Sequence, residues 1–346
     1  MARLTGPVHH PAVTVAIPTR NRREWLRECL DSVLGQAFTD LEVYISDNAS
    51  TDGTEELVAS YNDPRINYRP LRENIGLWRN LTRCLRLGTA PYVSVLPDDD
   101  LMLAGNLEPQ VRFLNEHPSV GLVHSAFDLI DREGKTLQKD VHWLQSPVEE
   151  IEPGPVYIDR MLASRNRTCL PTVVMRRGAV KDLVFDERDG APADAGLFLR
   201  VALRWEVGYI DQPLAACRVH PKARTIELAG SRVEEGEYRP TLEAIGEMER
   251  TKERFLQEHG GELKRSVPVS PRRWNRRATV AIVADTVVRE GKTAIGWRLL
   301  AGAVRRDPLM LPMPRFLSLV AAMAGGARGV RAYRGAVQRL KNVRRK

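Results

Sequence analysis

Tyr92-Val93-Ser94-Val95-Leu96-Pro97-Asp98-Asp99-Asp100 is a short β-rich apolar run that stops at Pro97 and opens into three successive carboxylates. Its composition predicts a buried strand whose C-terminal end carries the acids to a cleft. Adjacent carboxylates repel one another and lose hydration beside a core, so three at a strand end demand a cation to balance them. Hard oxygen ligands of this kind suit Mg2+ or Mn2+. Alternate residues of an extended chain share a side, so two of the three acids can face one ion and leave its other positions to water and diphosphate oxygens. Taken alone, the same acids also describe a solvated turn ahead of a helix across Asn106 to Glu116, and the flanking sequence has to decide.

Upstream, Val13 to Ile17 is a compact β-branched run ending at Pro18 and Thr19, a first buried strand. A helix follows: Asn21 with Glu24 has the spacing of a capping box, and Leu26, Cys29, Leu30, Val33 and Leu34 form one apolar stripe. Leu41, Val43 and Ile45 alternate with polar residues as a second strand ending at Asp47. The polar loop Asp47 to Gly53 comes next, then a helix over Glu55 to Tyr61. Ile66 to Tyr68 reads as a third strand, followed by Arg72-Glu73-Asn74-Ile75-Gly76 and a helix carrying Leu77, Leu81, Cys84 and Leu85. Strand and helix thus alternate up to Asp98, the pattern of a parallel α/β sheet. Ligands of such sheets collect at the C-terminal strand ends, which here carry Thr19, Asp47, Arg72 and the aspartate trio.

Downstream the periodicity is mixed. Val120 to Val123 and Thr172 to Met175 are strand candidates, and Asp194 opens a helix with Leu197, Phe198, Val201 and Ala202 on one face. Gly208 to Leu214 and Cys217 to His220 close this half. Pro221 to Ser231 has the composition of a mobile segment, a polar helix covers Thr241 to Glu258, and further helices are expected near Trp274 to Arg289, Thr293 to Arg306 and Phe316 to Ala324, broken by Pro308, Pro312 and Pro314.

At 346 residues the chain can hold one large domain or two. Cys29, Cys84, Cys169 and Cys217 are scattered without metal-type spacing, which fits apolar packing in a reducing compartment rather than a disulfide framework. Met1 to Pro11 has no apolar signal-like run, and no apolar stretch reaches membrane-spanning length, so a cytoplasmic location is expected. From Arg265 on there are 19 Lys or Arg against three acids, net +16, which leaves residues 1–264 at −8 within the overall +8. The basic balance therefore belongs to the tail.

Four segments in order, Val13-Thr14-Val15-Ala16-Ile17-Pro18-Thr19-Arg20-Asn21-Arg22, the loop Asp47 to Gly53, Arg72-Glu73-Asn74-Ile75-Gly76 and Leu96-Pro97-Asp98-Asp99-Asp100, resemble the family 2 glycosyltransferases of the GT-A fold. The resemblance covers roughly residues 12 to 220. It implies a GT-A domain over 12–230, with a nucleotide-binding half (12–125) and an acceptor half (126–230), and leaves 231–346 as a basic helical C-terminal region. The implied activity is inverting transfer of a sugar from a nucleotide-diphospho-sugar, UDP- or dTDP-sugars favoured, to an acceptor hydroxyl, assisted by Mn2+ or Mg2+. Polysaccharide, glycolipid or glycosylated-metabolite biosynthesis is the implied setting.

By the same resemblance Pro18, Thr19, Asp47, Asn48, Arg72, Asn74 and Asp98 would bind the nucleotide-sugar. Asp47 would accept from the imide N–H of a uracil or thymine, and Arg72 would pair with base or phosphates. Asp99 would be the direct metal ligand, with Asp98, Asp100 and His220 as further members of the set. Asp194 would be the catalytic base, a role it must reconcile with capping its helix. Arg218-Val219-His220 resembles the arginine-x-histidine segment that closes the donor site. This chain departs from the family at Pro97 and Ala193, where acids are common, and at Cys217, where an aromatic residue is commoner.

The tail, with Trp274, Trp297, Phe316 and Leu317 among arginines, is a candidate contact for an anionic membrane surface near a lipid-linked acceptor, or a helical subdomain with a solvated basic face. Nucleic-acid binding is not expected, because no recognition motif accompanies the charge. A sugar-phosphate nucleotidyltransferase would share the α/β layout but opens with a Gly-rich phosphate loop, which Ile17 to Asn21 lacks. A non-catalytic carbohydrate- or membrane-surface-binding protein is the remaining alternative.

Overall fold

The computed structural model describes residues 10–141, 151–163, 168–220, 232–234, 237–239 and 242–266, with single positions at 297, 301, 320, 323 and 324. Apart from those single positions, the expected helices of the basic tail and the segment Pro221 to Ser231 lie outside the described residues. The chain divides into two compact units, one of residues 1–158, 166–189 and 193–223, the other of residues 159–165, 190–192 and 224–346.

The first unit is built on a ten-stranded sheet. β1 (Val13–Thr19), β2 (Leu41–Asp47), β3 (Ile66–Pro70) and β4 (Tyr92–Val95) form its first half in the order β3-β2-β1-β4, all pairs parallel. All seven residues of β1 are buried, as expected for a central parallel strand covered on both faces. β5 (Leu101–Met102), β6 (Val120–Ile130), β7 (Thr136–Val141), β8 (Ile151–Glu152), β9 (Val174–Arg176) and β10 (Glu206–Arg218) complete it. β9 lies antiparallel between β4 and β6, so it joins the first half to the parallel pair β6-β10. The sheet is therefore mixed: β3-β2-β1-β4 and the pair β6-β10 are parallel, and antiparallel β9 lies between them.

Helices α1 (Arg23–Leu34), α2 (Thr54–Ser60), α3 (Leu77–Cys84), α4 (Leu107–Glu116), α5 (Gly154–Ala163), α6 (Arg177–Val180) and α7 (Ala193–Ala202) follow in chain order. Of the expected stripe, α1 buries Leu26, Cys29, Leu30 and Val33 against a core that includes Val15, Ile17, Val43 and Leu96, and Leu34 is partly buried beside it. Each fully buried Leu of this stripe contributes about 2 kcal/mol of apolar transfer.

Three local expectations are corrected. Asn21 and Glu24 form no capping box: α1 begins after Arg22, which makes no side-chain cap. Asn21 instead adopts φ 53° and its side chain accepts the Thr51 N–H. The first-turn N–H of Arg23 is satisfied by Asp52 Oδ2 at 3.0 Å, so the cap comes from the β2–α2 loop. Asp194 is likewise not the N-cap of α7, which starts one residue earlier; its Oδ1 accepts the adjacent Ala195 N–H at 2.7 Å. Gly208 to Leu214 and Cys217 to Arg218 belong to one strand, because register shifts on either side of Pro213 absorb the proline without ending β10.

In the second unit β11 (Arg232–Glu234) pairs antiparallel with β12 (Glu237–Arg239), and α8 (Leu242–Ser266) extends past the expected helix. Among the described residues no helix is long and apolar enough to cross a membrane.

Candidate functional site

Parallel pairing brings the C-terminal ends of β1, β2, β3 and β4 to one edge of the sheet. Thr19 pairs in register with Asp47 there, and Leu96, just beyond β4, donates its N–H to the Ala16 carbonyl. The chain then leaves the sheet at Pro97 and turns sharply, with the Asp100 N–H donating to the Pro97 carbonyl at 3.1 Å. That turn separates the three aspartates. All three are buried.

Asp98 faces β1: the Thr19 hydroxyl donates to its Oδ2 at 2.7 Å. Arg22 Nη1 reaches Asp98 Oδ1 at 3.2 Å and Asp99 Oδ2 at 2.5 Å, so one guanidinium bridges two carboxylates. His220 Nε2 lies 3.0 Å from the same Asp99 oxygen. Trp25 lines the other side, its ring centroid 4.1 Å from that of His220 and 5.5 Å from the Arg22 guanidinium carbon. Asp100 turns away from this group, and its Oδ1 accepts the Arg218 N–H at 2.7 Å.

Arg218 organises the wall behind them. Its side chain is wholly buried and donates to the carbonyls of Asp99 (2.8 Å) and Arg132 (2.8 Å) and to Glu28 Oε2 (2.5 Å). Five fixed donors let one guanidinium tie the β4–β5 turn, the β6–β7 turn and α1 together.

Burial drives the electrostatics. Desolvation pushes the Asp98 carboxyl up to about 7, opposed by the Arg22 charge and reinforced by Asp99. Asp100 is pushed well above the carboxylate range by burial and by Asp99. Burial would also raise Asp99, but the His220 hydrogen bond and the charges of Arg22 and His220 outweigh it, and its pKa falls. Asp99 is therefore the carboxylate held ionised.

Asp98, Asp99 and His220 are of the donor types that a hard divalent ion takes. Asp98 and Asp99 supply buried carboxylate oxygens, and the buried Nδ1 of His220 has no hydrogen-bond partner among the described residues. No three His, Cys, Asp or Glu side chains among the described residues stand in a metal-ligating arrangement, and the cation facing Asp98 and Asp99 is Arg22.

Along the same edge, Asp47 is buried and already engaged: Ser50 donates to Oδ1 from its N–H (2.9 Å) and hydroxyl (2.6 Å), and the Tyr68 hydroxyl donates to Oδ2. Asn48 clamps the β3–α3 loop, donating to Asn74 Oδ1 and accepting the Ile75 N–H, both at 2.8 Å. Pro18 is buried in β1, whereas Arg72 and Asn74 are exposed.

Asp194 is half-buried on the first turn of α7. The hydrogen bond with Cys217 lowers the Cys169 pKa, but burial and the charges of Asp100 and Asp194 outweigh it and the thiol is raised. Both carboxylates therefore lie within electrostatic reach of one sulfur. The sequence reading overlooked Arg22 and Trp25. Arg22 ends the Thr19-Arg20-Asn21-Arg22 stretch and Trp25 follows it, but nothing in the pattern distinguishes exposed Arg20 from inward-facing Arg22.

The sequence model described as Glycosyl transferase family 2 matches residues 14–183. An uncharacterized glycosyltransferase of Rickettsia felis is 27% identical over 217 residues, 61% of this chain and 34% of that protein. The chain spans about a third of the length of the first curated relatives it matches. Among solved structures, S. aureus TarS residues 1–349 in complex with UDP-GlcNAc superposes with TM-score 0.51 at 17% identity, covering 91% of this chain and 92% of that one. The mannosyltransferase PcManGT from Pyrobaculum calidifontis, in complex with GDP-Man and Mn2+, gives TM-score 0.52 at 18% identity over 94% of this chain and 87% of its own. The two structures show the shared fold, and the sequence match places residues 14–183, just under half of the chain, in glycosyl transferase family 2.

Proposed function

We propose that the chain is an inverting glycosyltransferase that moves a sugar from a nucleotide-diphospho-sugar to an acceptor hydroxyl. The observation that carries this reading is the buried Asp98–Asp99 pair at the β4 end, faced by Arg22 and His220 and seated beside Thr19. Buried acids held against cationic groups at the carboxyl edge of a parallel sheet form a site for a cation–diphosphate assembly.

In this reading the edge of β1, β2 and β3 receives the nucleotide. Asp47, held rigid by Ser50 and Tyr68, presents its remaining lone pairs to the base, and exposed Arg72 meets base or phosphates. Asn48 and Asn74 hold the loop that follows β3. Asp99, Asp98 and His220 would hold Mn2+ or Mg2+, with Asp100 supporting from behind through Arg218. A bound divalent ion supplies charge stabilisation to the departing diphosphate. Arg22, a permanent cation beside the same oxygens, adds to it.

Asp194 takes the proton from the acceptor hydroxyl, which attacks the anomeric carbon opposite the diphosphate. UDP- and dTDP-sugars remain the favoured donors. A nucleotidyltransferase role draws no support from the family match. The test is incubation with UDP-, dTDP- and GDP-sugars and Mn2+, reading released nucleotide with and without candidate acceptors. Release from none of them would refute the proposal.

A further inference from the structure

Cys169 and Cys217 are 48 residues apart in sequence, yet their sulfurs lie 3.2 Å apart, and both are free thiols. Cys217 sits one residue before the end of β10; Cys169 precedes the short 3-10 turn Leu170–Thr172. Both backbones are pinned. The Cys169 carbonyl accepts the Thr172 N–H at 3.0 Å and the Thr172 hydroxyl at 2.7 Å, while Ala216 and Arg218, on either side of Cys217, pair with Asp128 and Ile130 of β6. Cys169 is partly exposed, so a small oxidant can reach the pair, whereas Cys29 and Cys84 are fully buried.

We infer that Cys169 and Cys217 are a site of reversible oxidation that closes to an intramolecular disulfide and thereby disturbs the Asp99–Asp100 turn. The oxidant is hydrogen peroxide. One thiolate attacks a peroxide oxygen, the O–O bond breaks, and the sulfur becomes a sulfenic acid as the first water leaves. The second sulfur then displaces the sulfenic oxygen, which departs with a proton as a second water. Two thiols and one peroxide become one disulfide and two waters; a dithiol reductant reverses the change by exchange.

The sulfurs must close from 3.2 Å to about 2.0 Å. That movement draws the 169–172 turn and the end of β10 together next to Arg218, whose N–H holds Asp100 and whose guanidinium holds the Asp99 carbonyl. His220 follows two residues later against Asp99. Burial and nearby carboxylates raise both thiols, so the reaction is slow at neutral pH and faster in alkaline buffer.

The coupling to the turn rests on the proposed function; the crosslink does not. The full chain is treated with hydrogen peroxide at alkaline pH, excess peroxide is removed, and the protein is digested and mapped by mass spectrometry. The expected product is a Cys169–Cys217 linked peptide lacking two hydrogens, abolished by dithiothreitol and absent from Cys169→Ser and Cys217→Ser. Unmodified thiols, a different pairing or over-oxidation without the crosslink would overturn the site. Binding of UDP and GDP with Mn2+ is measured by calorimetry on both forms, with a severalfold loss expected on oxidation and recovery on reduction. A crosslink with unchanged nucleotide affinity would overturn the coupling. No nucleotide binding by the reduced protein would count against the functional reading and leave the crosslink result intact.

Discussion

Arg22→Gln tests the electrostatic core of the site. The substitution removes the guanidinium that sits 3.2 Å from Asp98 and 2.5 Å from Asp99, both of them buried. At about 3 Å and an effective dielectric of about 20, a pair of unit charges interacts by about 5 kcal/mol, most of which offsets the desolvation of its members. Stranding a buried carboxylate costs about 3–5 kcal/mol. The Arg22 side chain is 26% exposed and His220 still faces Asp99, so water and the imidazole recover part of the loss. A net destabilisation of about 2 kcal/mol is expected, a fall of about 4–8 °C in Tm for a fold of this size.

The same vacancy favours an added cation. Mn2+ at about 100 times its dissociation constant restores about 2.7 kcal/mol, so the variant should be stabilised by Mn2+ more than the parent, in which Arg22 competes for the same oxygens. The assay is thermal unfolding of both proteins with and without Mn2+, without nucleotide. A Tm within a degree or so of the parent, together with equal Mn2+ responses, would refute the claim that Arg22 neutralises this pair.

Asp98 provides a pH test with a definite sign. Its folded pKa of about 7 lies above the ordinary carboxylate value of 3.8, so between those limits the folded chain keeps a proton that the unfolded chain has lost. This group's contribution therefore falls as pH rises from about 4 to about 7 and is level above. Asp98→Asn should flatten that part of the Tm profile and melt higher than the parent at pH 8; a steeper slope would contradict it. Asp194→Asn should abolish transfer while sparing nucleotide affinity, and undiminished turnover would remove Asp194 as the base. Asp99→Ala should abolish the Mn2+ dependence of nucleotide binding in calorimetry, so a retained dependence would move the metal ligand elsewhere. Gly88→Ala should destabilise the fold by about 1–3 kcal/mol in urea unfolding, because φ is +76° and a Cβ would lie 2.3 Å from Glu42 Oε1 and 2.4 Å from Thr14 Oγ1. Co-sedimentation with anionic liposomes, lost on truncation of the basic tail, would support membrane contact, and binding indifferent to lipid charge would dismiss it.

Local sequence carried a large share of the architecture. The β-branched run at Val13 and the alternation through Leu41, Val43 and Ile45 specified strands, and the Leu26-Cys29-Leu30-Val33 stripe specified the helix between them. Burial on these elements repeats with a period the chain itself displays. Where the pattern misled, a long-range contact had supplied what a local one was expected to supply: Asp52 caps α1 in place of Asn21, and the β6 ladder carries β10 past Pro213. The hairpin strand β7 had no such pattern, since its residues are exposed or half-buried.

The same division holds at the site. Residue type and order were enough to single out Asp98, Asp99 and Asp100, because carboxylates at a strand end are written in the chain, and the family resemblance added Asp194 and His220. Which of them meet is not written there. The turn after Pro97 sends Asp98 and Asp99 toward Arg22 and Asp100 toward Arg218, and β10 returns through 118 residues of chain to set the Arg218 N–H on Asp100. The pairing of Cys169 with Cys217 was equally invisible in their spacing. Periodicity reports the face a residue occupies on its own element; the partner across a gap depends on how distant elements cross, which the packed sheet alone decides.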